Sequence, residues 1–373
     1  MAGGVRHRRA VVESGRGRVS RRVAHERAVV TWILFALVAA VIVVAGVQLA
    51  RYGDVIGEKS GLGRSWIGMV LLAATTSLPE LFTGFGATAL TPLPDIAVGD
   101  VLGSCMFNLL ILSLMDAIQP DRISARAHQG HALAIGFGLA LVAVAGIGLV
   151  GAAYWPAIGW MGPNALVLIG LYFVAMRMMF THELQRRAST TLPETSALGA
   201  PDVSLRTALI RYGVAALAVV GAALYLPSLG GALARETGLG EAFVGSLFIA
   251  LTTSLPEIVV SIAAVRMGAL DLGIGNVLGS NLFNLLILGL DDVFYAPGPL
   301  LQAVDSSHVV SVMAIVLMNA FFLVGLTQQV LLKRFRVAWD TGAMAVVYAV
   351  AVWLSYLMRA PDAVASLMPP PLL

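Results

Sequence analysis

A six-residue stretch, Thr-Thr-Ser-Leu-Pro-Glu, occurs twice in this chain, at residues 75–80 and letter for letter at residues 252–257. A second matched block follows each copy, reading Gly-Asp-Val-Leu-Gly-Ser-x-x-Phe-Asn from Gly99 and Gly-Asn-Val-Leu-Gly-Ser-x-x-Phe-Asn from Gly275. Two matched blocks at a nearly constant offset of about 177 residues do not arise by chance. The chain is therefore an internal duplication, with one copy of the pattern in each half.

The composition around these blocks is that of a membrane protein. Of the 373 residues, 58% are hydrophobic and 12% are charged, whereas a soluble domain has about 45–50% apolar and about 25% charged residues. This excludes a soluble enzyme, a disordered chain and a nucleic-acid-binding protein. The single cysteine, Cys105, excludes an internal disulfide and a cysteine-based metal site.

Apolar runs of roughly 20 residues predict ten membrane spans, five in each half. The predicted organisation is a basic tail (1–27), a first repeat (28–180), a loop linker (181–205), a second repeat (206–360) and a short tail (361–373). Because five is odd, the second copy inserts upside down, as in the inverted repeats of secondary transporters. The expected fold is an all-α polytopic membrane protein of about ten transmembrane helices in two inverted five-helix repeats.

The ten predicted spans are Ala28–Ala50, Ser65–Leu90, Ile96–Met115, two within Ala127–Met176, Tyr212–Leu233, Ala242–Val265, Leu272–Leu290, Val309–Leu332 and Val337–Met358. The tail before them carries eight arginines and two glutamates. It is predicted to be a disordered arm that touches anionic lipid head groups.

Two glutamates, Glu80 and Glu257, fall inside predicted spans at equivalent places in the two repeats. A carboxylate in the middle of a span costs several kcal/mol unless it is compensated. No lysine or arginine within the spans is available to either, so the expected partner is a mobile cation. Two carboxylates together match the charge of one divalent ion.

A proline precedes each glutamate and predicts a break in the helix. Pro79 and Pro256 have no N–H, so the carbonyl four residues back loses its helical donor. Such carbonyls are tolerated at membrane depth only where they line a cavity or bind something. The oxygen-bearing residues that this break places beside the glutamates are Thr75, Thr76 and Ser77 in the first repeat and Thr252, Thr253 and Ser254 in the second.

The second matched block predicts an opposite wall of polar side chains at helical spacing. The stripe consists of Asp100, Ser104 and Asn108 in the first repeat and of Asn276, Ser280 and Asn284 in the second. Carboxylate, amide, hydroxyl and carbonyl oxygens without histidine or cysteine suit Ca²⁺, Mg²⁺ or Na⁺. The ions are transported, and no resident cofactor is expected.

Asp100 lies two helical turns, about 12 Å, before Asn108. It is therefore predicted to be a peripheral cation or proton handle rather than a ligand of the central ion. The alternative is a helix-packing aspartate bonded to a neighbouring hydroxyl.

Other charged residues near helix ends receive structural interpretations. Asp95 and Asp271 are predicted to cap helices. The remaining acidic residues at helix ends, expected to be solvated, are Asp116, Asp291 and Asp292. The histidines, expected in loops or at the membrane interface, are His128, His131, His182 and His308.

At these motifs the sequence resembles the cation/calcium exchanger superfamily, most closely its prokaryotic sodium/calcium exchanger branch, over nearly all of residues 28–360. The two alpha repeats of that family read roughly G-T-S-x-P-E followed by G-N-x-x-G-S-N-x-x-(N/D). The resemblance implies that Glu80 and Glu257 ligate Ca²⁺ with the carbonyls of Thr76 and Thr253. It also implies sliding of the first and sixth helices against the rest. The residues that it assigns to flanking Na⁺ sites are Ser77, Ser254, Ser104, Ser280, Asn108 and Asn284.

The chain departs from the family pattern at three kinds of position. The glycine before Thr-Ser is Thr75 in one repeat and Thr252 in the other, and the asparagine after Gly99 is Asp100. Asn108 and Asn284 are both amides, where many sodium/calcium exchangers carry an aspartate. These departures bear on ion selectivity more than on the fold.

The leading hypothesis is a secondary antiporter, not an enzyme, that exchanges Na⁺ for Ca²⁺ without ATP. No G-x-x-x-x-G-K-[ST] motif occurs in the sequence. The alternatives are a cation/proton antiporter on the same scaffold and, from another class, a cation channel, because acidic rings also select cations. The expected partners are Ca²⁺ and Na⁺, with H⁺ or K⁺ as open coupling ions, and the lipid bilayer. The oligomeric state stays open.

The basic residues predict the orientation. Outside the tail, fourteen lie in loops on one side of the ten spans and two, Arg235 and Arg359, on the other. The first side is predicted to be cytoplasmic, in the inner membrane of a bacterium. Both termini are then outside, so the eight tail arginines oppose the rule.

Overall fold

The computed structural model describes residues 3–59, 72–128, 130–189, 203–328, 333 and 335–358. Apart from an isolated bridge between Ile158 and Met161, the described residues are helices and their connections. The main helices are α1 (Gly3–Lys59), α2 (Leu78–Phe85), α3 (Pro94–Ile118), α4 (His131–Val150), α5 (Pro163–Ser189), α6 (Leu205–Thr237), α7 (Glu241–Thr253), α8 (Leu255–Arg266), α9 (Leu270–Phe294), α10 (His308–Thr327) and α11 (Trp339–Met358).

Shorter helical pieces complete the chain. Residues 72–76 are helical ahead of α2, and the π-helical turn Gly86–Leu90 follows it. A second π-helical turn, Gly245–Ile249, lies within α7. A short helix, Ile123–Arg126, and two 3₁₀ turns, Ala152–Tyr154 and Leu300–Gln302, lie in the connections.

The helices confirm a polytopic all-α membrane protein. Among the described residues, eight helices are long and apolar enough to cross a membrane, and the bent pair of α7 and α8 makes a ninth. The tenth predicted span is residues 65–90, and its first part, residues 65–71, lies outside the described residues. The rest of that span is helical on both sides of a break at Ser77.

Two helices extend beyond their predicted ends. The arm of residues 1–27, predicted to be disordered, is helical from Gly3 and continuous with the first span. It contains no proline, and arginine and alanine favour helices. Helix α5 continues to Ser189, so the linker predicted to start at residue 181 begins later, because Glu, Leu, Gln and Arg also favour a helix.

The two repeats are inverted with respect to each other. Helices α3 and α9 carry the second matched block and cross at their middles, where the Asn281 amide donates to the Cys105 carbonyl at 3.3 Å. The beginning of α9 lies beside the end of α3, since a Cβ on Gly273 would be 2.9 Å from the Cε of Met115. Equivalent helices therefore run antiparallel, as the odd number of predicted spans requires.

This arrangement defines two faces of the molecule. The face that we call the Asp95 face contains the start of α3 and the end of α9, with Asp95 and Asp292. The opposite face, the Asp271 face, contains the start of α9 and the end of α3, with Asp271 and Asp116.

Helices α3 and α9 form the centre of the bundle. They are the most buried of the candidate spans, with 78% and 83% of their apolar windows buried. Close packing relies on glycine, because a Cβ on Gly99 would lie 2.9 Å from the backbone nitrogen of Ser246. Helix α1 packs along α6, its equivalent in the second repeat, at the periphery.

Candidate cation-binding site

Both copies of the hexapeptide break their helix at the same residue. Ser77 and Ser254 leave the helical conformation with φ −89° and ψ 12° or 3°, and the next helix starts one residue later. Each new helix has its proline, Pro79 or Pro256, in the first turn, where no N–H donor is needed. In the second repeat, α7 and α8 meet at an angle of 45°. The predicted helix breaks are therefore present.

The two breaks place the glutamates in one centre between the repeats. Glu80 and Glu257 are both fully buried. The Ser254 hydroxyl donates to Glu80 Oε1 at 3.2 Å, and the Ser77 hydroxyl donates to Glu257 Oε1 at 3.3 Å. Each repeat therefore holds the carboxylate of the other repeat, as expected around a two-fold axis.

Hydroxyl groups from α3 and α9 form the opposite wall. The Ser104 hydroxyl lies 3.5 Å from Glu80 Oε1 and 3.3 Å from Thr253 Oγ1. At the equivalent place in the other repeat, Thr76 Oγ1 lies 3.4 Å from Ser280 Oγ. The structure thus brings eight predicted residues into one polar centre. These residues are Glu80, Glu257, Ser77, Ser254, Thr76, Thr253, Ser104 and Ser280.

Asp100 lies nearer to this centre than its spacing predicted. It is fully buried, and the Thr253 hydroxyl donates to its Oδ1 at 2.9 Å. The prediction took Asn108 as the position of the ion and measured the distance from it. The hydrogen-bonded residue of α3 at the centre is instead Ser104, which is one helical turn from Asp100. The hydroxyl bond of the packing alternative is present, but Oδ2 has no hydrogen-bond partner among the described residues.

The amides of the predicted wall behave differently. Asn108 and Asn284 are fully buried, and their side-chain atoms have no hydrogen-bond partner in the described part of the chain. Neither is bonded to a glutamate. Asn276, the equivalent of Asp100, instead donates to the Ser261 hydroxyl at 3.2 Å.

No cationic side chain compensates the centre within the described ranges. The Lys and Arg ion pairs lie at helix ends, as in Arg122–Asp340 at 3.4 Å and Lys333–Asp116 at 3.0 Å. The Oε2 atoms of Glu80 and Glu257 have no hydrogen-bond partner among the described residues. A buried carboxylate in this state costs several kcal/mol. The centre is therefore suited to a bound cation.

The donor set favours a hard cation. Among the described residues, no three His, Cys, Asp or Glu side chains converge as a metal-binding cluster. An ion between the two glutamates would have to complete its coordination with hydroxyl and carbonyl oxygens. Ca²⁺ and Na⁺ accept such ligands, whereas zinc and copper prefer nitrogen and sulfur.

The sequence interpretation was wrong about several acidic residues at helix ends. Asp116, Asp291 and Asp292, expected to be solvated, are all buried. Asp116 accepts hydrogen bonds from the backbone of Ile123 and Ala338, and thereby ties connecting segments to the end of α3. No sequence signal marked Asp291, because its equivalent in the first repeat is Met115.

The predicted caps also have another role. Asp95 does not cap α3 but accepts from the Asp305 backbone at 2.7 Å and lies 3.0 Å from His308 Nε2. The equivalent Asp271 accepts from the His128 backbone and lies 3.0 Å from His131 Nε2. Each aspartate thus joins the two repeats, one pair on each face. The nearly equal spacing, 36 residues from Asp95 to His131 and 37 from Asp271 to His308, was the available signal.

Two inverted repeats, each with a proline-broken span and a buried glutamate at their shared centre, define the architecture of a secondary transporter. Residues 30–181 and 207–357 both match the family model described as sodium/calcium exchanger protein. The chain belongs to this family.

Individual relatives agree with this assignment. The inner membrane protein YrbG of Escherichia coli (strain K12) is 27% identical over 265 residues, which is 68% of this chain and 79% of that protein. The sodium/calcium exchanger MaX1 of Methanosarcina acetivorans is 44% identical over 63 residues, which is 17% of this chain and 18% of that protein.

Two solved structures share the fold. The H⁺/Ca²⁺ exchanger CAX superposes with a TM-score of 0.66 at 15% identity, over 90% of this chain and 86% of that chain. The sodium-calcium exchanger NCX_Mj superposes with a TM-score of 0.57 at 20% identity, over 87% of this chain and 99% of that chain. At these identities the likeness concerns the fold alone.

Proposed function

We propose that this protein is a secondary antiporter that exchanges Na⁺ for Ca²⁺ across the membrane by alternating access. The observation that carries the proposal is the reciprocal pair of bonds, Ser77 to Glu257 and Ser254 to Glu80. It joins two uncompensated buried carboxylates at the interface of inverted repeats. A site between such repeats can open to one face and then to the other.

In this proposal Glu80 and Glu257 ligate one Ca²⁺, whose charge they neutralise, together with the carbonyls of Thr76 and Thr253. The hydroxyls and amides around them hold Na⁺ after Ca²⁺ has left. The residues in this second role are Ser77, Ser254, Ser104, Ser280, Asn108 and Asn284, with Asp100 as a flanking cation group. The hydrogen-bonded network supports the hydroxyls in this role more strongly than the two amides.

The moving part is proposed to be the pair α1 and α6. These equivalent helices pack along each other at the periphery, and only 17% and 22% of their apolar windows are buried. Helices α3 and α9, buried over most of their length, form the static part. Sliding of the peripheral pair would expose the centre to each face in turn.

The Asp271 face is proposed to be cytoplasmic, in the inner membrane of a bacterium. The basic loops support this orientation, and the relative YrbG is described as an inner membrane protein. Because the only native cysteine, Cys105, is buried, an engineered cysteine can be labelled on its own. In intact cells an impermeant maleimide should label a cysteine at position 157, in the exposed connection on the Asp95 face, and fail at position 190. The reverse pattern would overturn the orientation.

Proton coupling is the second candidate function. It is favoured by the buried acid Asp100, whose Oδ1 accepts from Thr253 at the centre and whose Oδ2 has no hydrogen-bond partner among the described residues. A carboxylate in this place can take a proton where the family pattern has a neutral asparagine. The two functions differ in the gradient that drives Ca²⁺ transport, which is a Na⁺ gradient in one and a pH gradient in the other.

The test is ⁴⁵Ca²⁺ uptake into proteoliposomes under imposed Na⁺, K⁺ or H⁺ gradients. We expect saturable uptake that is driven by internal Na⁺ and lost in Glu257→Gln. Uptake driven by a pH gradient alone would favour proton coupling instead. Flux that does not saturate and needs no counter-ion would identify a channel and overturn the proposal.

A further inference from the structure

One buried acid, Asp291, has no role in the proposed exchange centre. It lies near the end of α9 with its side chain fully buried. Neither of its carboxylate oxygens has a hydrogen-bond partner among the described residues. Its carboxylate instead lies against Gly84, where a Cβ would approach Asp291 Oδ2 to 2.5 Å.

Asp291 belongs to the same half of the membrane core as Asp100. Gly84 is one helical turn, about 6 Å, beyond Glu80 on α2, and it brings Asp291 to the side of α2 that carries Glu80. Asp100 is likewise one helical turn, about 6 Å, from the central Ser104, toward the start of α3. Because α3 and α9 run antiparallel, an acid near the start of one and an acid near the end of the other both lie on the Asp95 side of the centre.

Further buried oxygen atoms in this half of the core also lack a hydrogen-bond partner among the described residues. Asp100 Oδ2 has no partner within the described ranges, and the buried Thr83 hydroxyl next to Gly84 has none either. The Asp100 Oδ1 atom is already fixed by Thr253. In this half of the core, four buried oxygen atoms of Asp100, Asp291 and Thr83 therefore have no hydrogen-bond partner among the described residues, although buried polar groups normally have one.

The equivalent place in the other half of the core is neutral and filled. Asn276 replaces Asp100 and bonds to Ser261, which replaces Gly84. The residues equivalent to Asp291 and Thr83 are Met115 and Val260. The acidic arrangement is therefore a departure from the repeat symmetry at four positions, all of them in one half of the membrane.

We propose that Asp100 and Asp291 form an accessory hard-cation site between the Asp95 face and the central glutamates. The inference rests on the proposed exchange function, since the accessory ion would be one on its way to or from that centre. One Ca²⁺ balances Glu80 and Glu257 and leaves two further carboxylates without a counter-charge. The accessory site takes Na⁺ or Ca²⁺, both of which accept carboxylate and hydroxyl oxygens.

The experiment counts bound cations on the purified full-length protein in detergent. Equilibrium dialysis with ⁴⁵Ca²⁺ and, in a separate arm, with ²²Na⁺ would compare the wild type with Asp291→Asn and Glu257→Gln. We expect Asp291→Asn to lose one bound cation per protein in one arm, which identifies the ion, and to keep the binding that depends on Glu257. Glu257→Gln should keep the binding that depends on Asp291.

A second variant and a control guard against simple misfolding. Gly84→Ser copies the other repeat and places atoms where the Asp291 carboxylate lies, so it should lose the same cation as Asp291→Asn. Glu236→Gln, at the membrane edge, should bind like the wild type. Unchanged ²²Na⁺ and ⁴⁵Ca²⁺ stoichiometry in Asp291→Asn overturns the accessory site. Absence of any binding that depends on Glu257 overturns the proposed exchange centre instead.

Discussion

The two halves of the membrane core are built from the same sequence block in opposite directions, yet they differ in charge. The half toward the Asp95 face carries Asp100 and Asp291, whereas the half toward the Asp271 face has Asn276 and Met115 in their places. Between them lies a centre that is nearly symmetric, with Glu80 and Glu257 bonded crosswise. The symmetric part and the asymmetric part therefore lie at different depths of the same bundle.

This difference suggests what each part contributes. A centre between inverted repeats needs equal access from both faces, and symmetry gives that directly. In the proposed exchange, an ion that leaves the centre would meet carboxylates in one direction and an amide bonded to a serine in the other. Four substitutions are enough to make the two directions inequivalent without any change of fold.

The largest effect is expected at the symmetric centre, where the two halves do not differ. Glu80→Gln and Glu257→Gln should each abolish exchange while leaving folded protein, because each removes one of the two charges that face the ion. Loss of one buried charge partner costs about 2–5 kcal/mol, which is roughly 30-fold or more in Ca²⁺ affinity. Calcium binding and flux would be measured side by side for each variant and the wild type. Near-normal flux in either variant would contradict the shared centre.

An effect on stability, and not directly on ion binding, is expected from the equivalent acids Asp116 and Asp292. Both tie a connecting segment to the end of a central helix, but Asp116 also pairs with Lys333 at 3.0 Å, and the two side chains are 0% and 5% exposed, respectively. Asp292 accepts from backbone N–H groups, among them that of Gly162 at 2.7 Å. Asp116→Ala leaves a buried charge unpaired, at about 3–5 kcal/mol. Asp292→Ala leaves neutral donors, at about 1–3 kcal/mol.

Thermal unfolding of the two variants in detergent would measure this contrast. Asp116→Ala should lower the midpoint more than Asp292→Ala does. The additional variant Lys333→Met removes the cation and should recover part of the loss in the Asp116→Ala background. Equal destabilisation by the two aspartate variants would mean that the ion pair contributes nothing beyond the backbone bonds.

The symmetric elements could be predicted from the sequence, and the asymmetric ones only in part. The centre followed from letter-for-letter identity of the two hexapeptides, and the breaks at Ser77 and Ser254 followed from proline chemistry. Asp291 could not be recognised, since it is buried against Gly84, 207 residues earlier in the chain. The burial of Asp116 could not be predicted either, because it comes from connecting segments that fold back onto the end of α3. Such segments have no helical periodicity in the sequence.

A change in coupling, rather than a loss of transport, is expected from Asp100→Asn. This variant restores the residue usual in the family and makes the first repeat match Asn276 in the second. Binding of Ca²⁺ that depends on Glu257 should remain within about twofold, which is about 0.4 kcal/mol, whereas the Na⁺ or pH dependence of flux should shift. The mirror variant Asn276→Asp places the acid in the other half of the core. If Asp100→Asn matches the wild type in both dependences, Asp100 only packs α3 against Thr253.

The smallest effect is expected at the two aspartate–histidine pairs that join the repeats, one on each face. Both pairs have the same 3.0 Å contact, but they differ in burial: Asp95 and His308 are 23% and 2% exposed, whereas Asp271 and His131 are 57% and 11% exposed. Water weakens and replaces an exposed polar contact more than a buried one. We therefore expect Asp95→Asn to destabilise the protein by about 1 kcal/mol and Asp271→Asn by less than about 0.5 kcal/mol. Backbone hydrogen exchange at the starts of α4 and α10 would report each pair separately. A larger effect of Asp271→Asn would mean that the pair on the Asp271 face, despite its exposure, is the one that holds the repeats together.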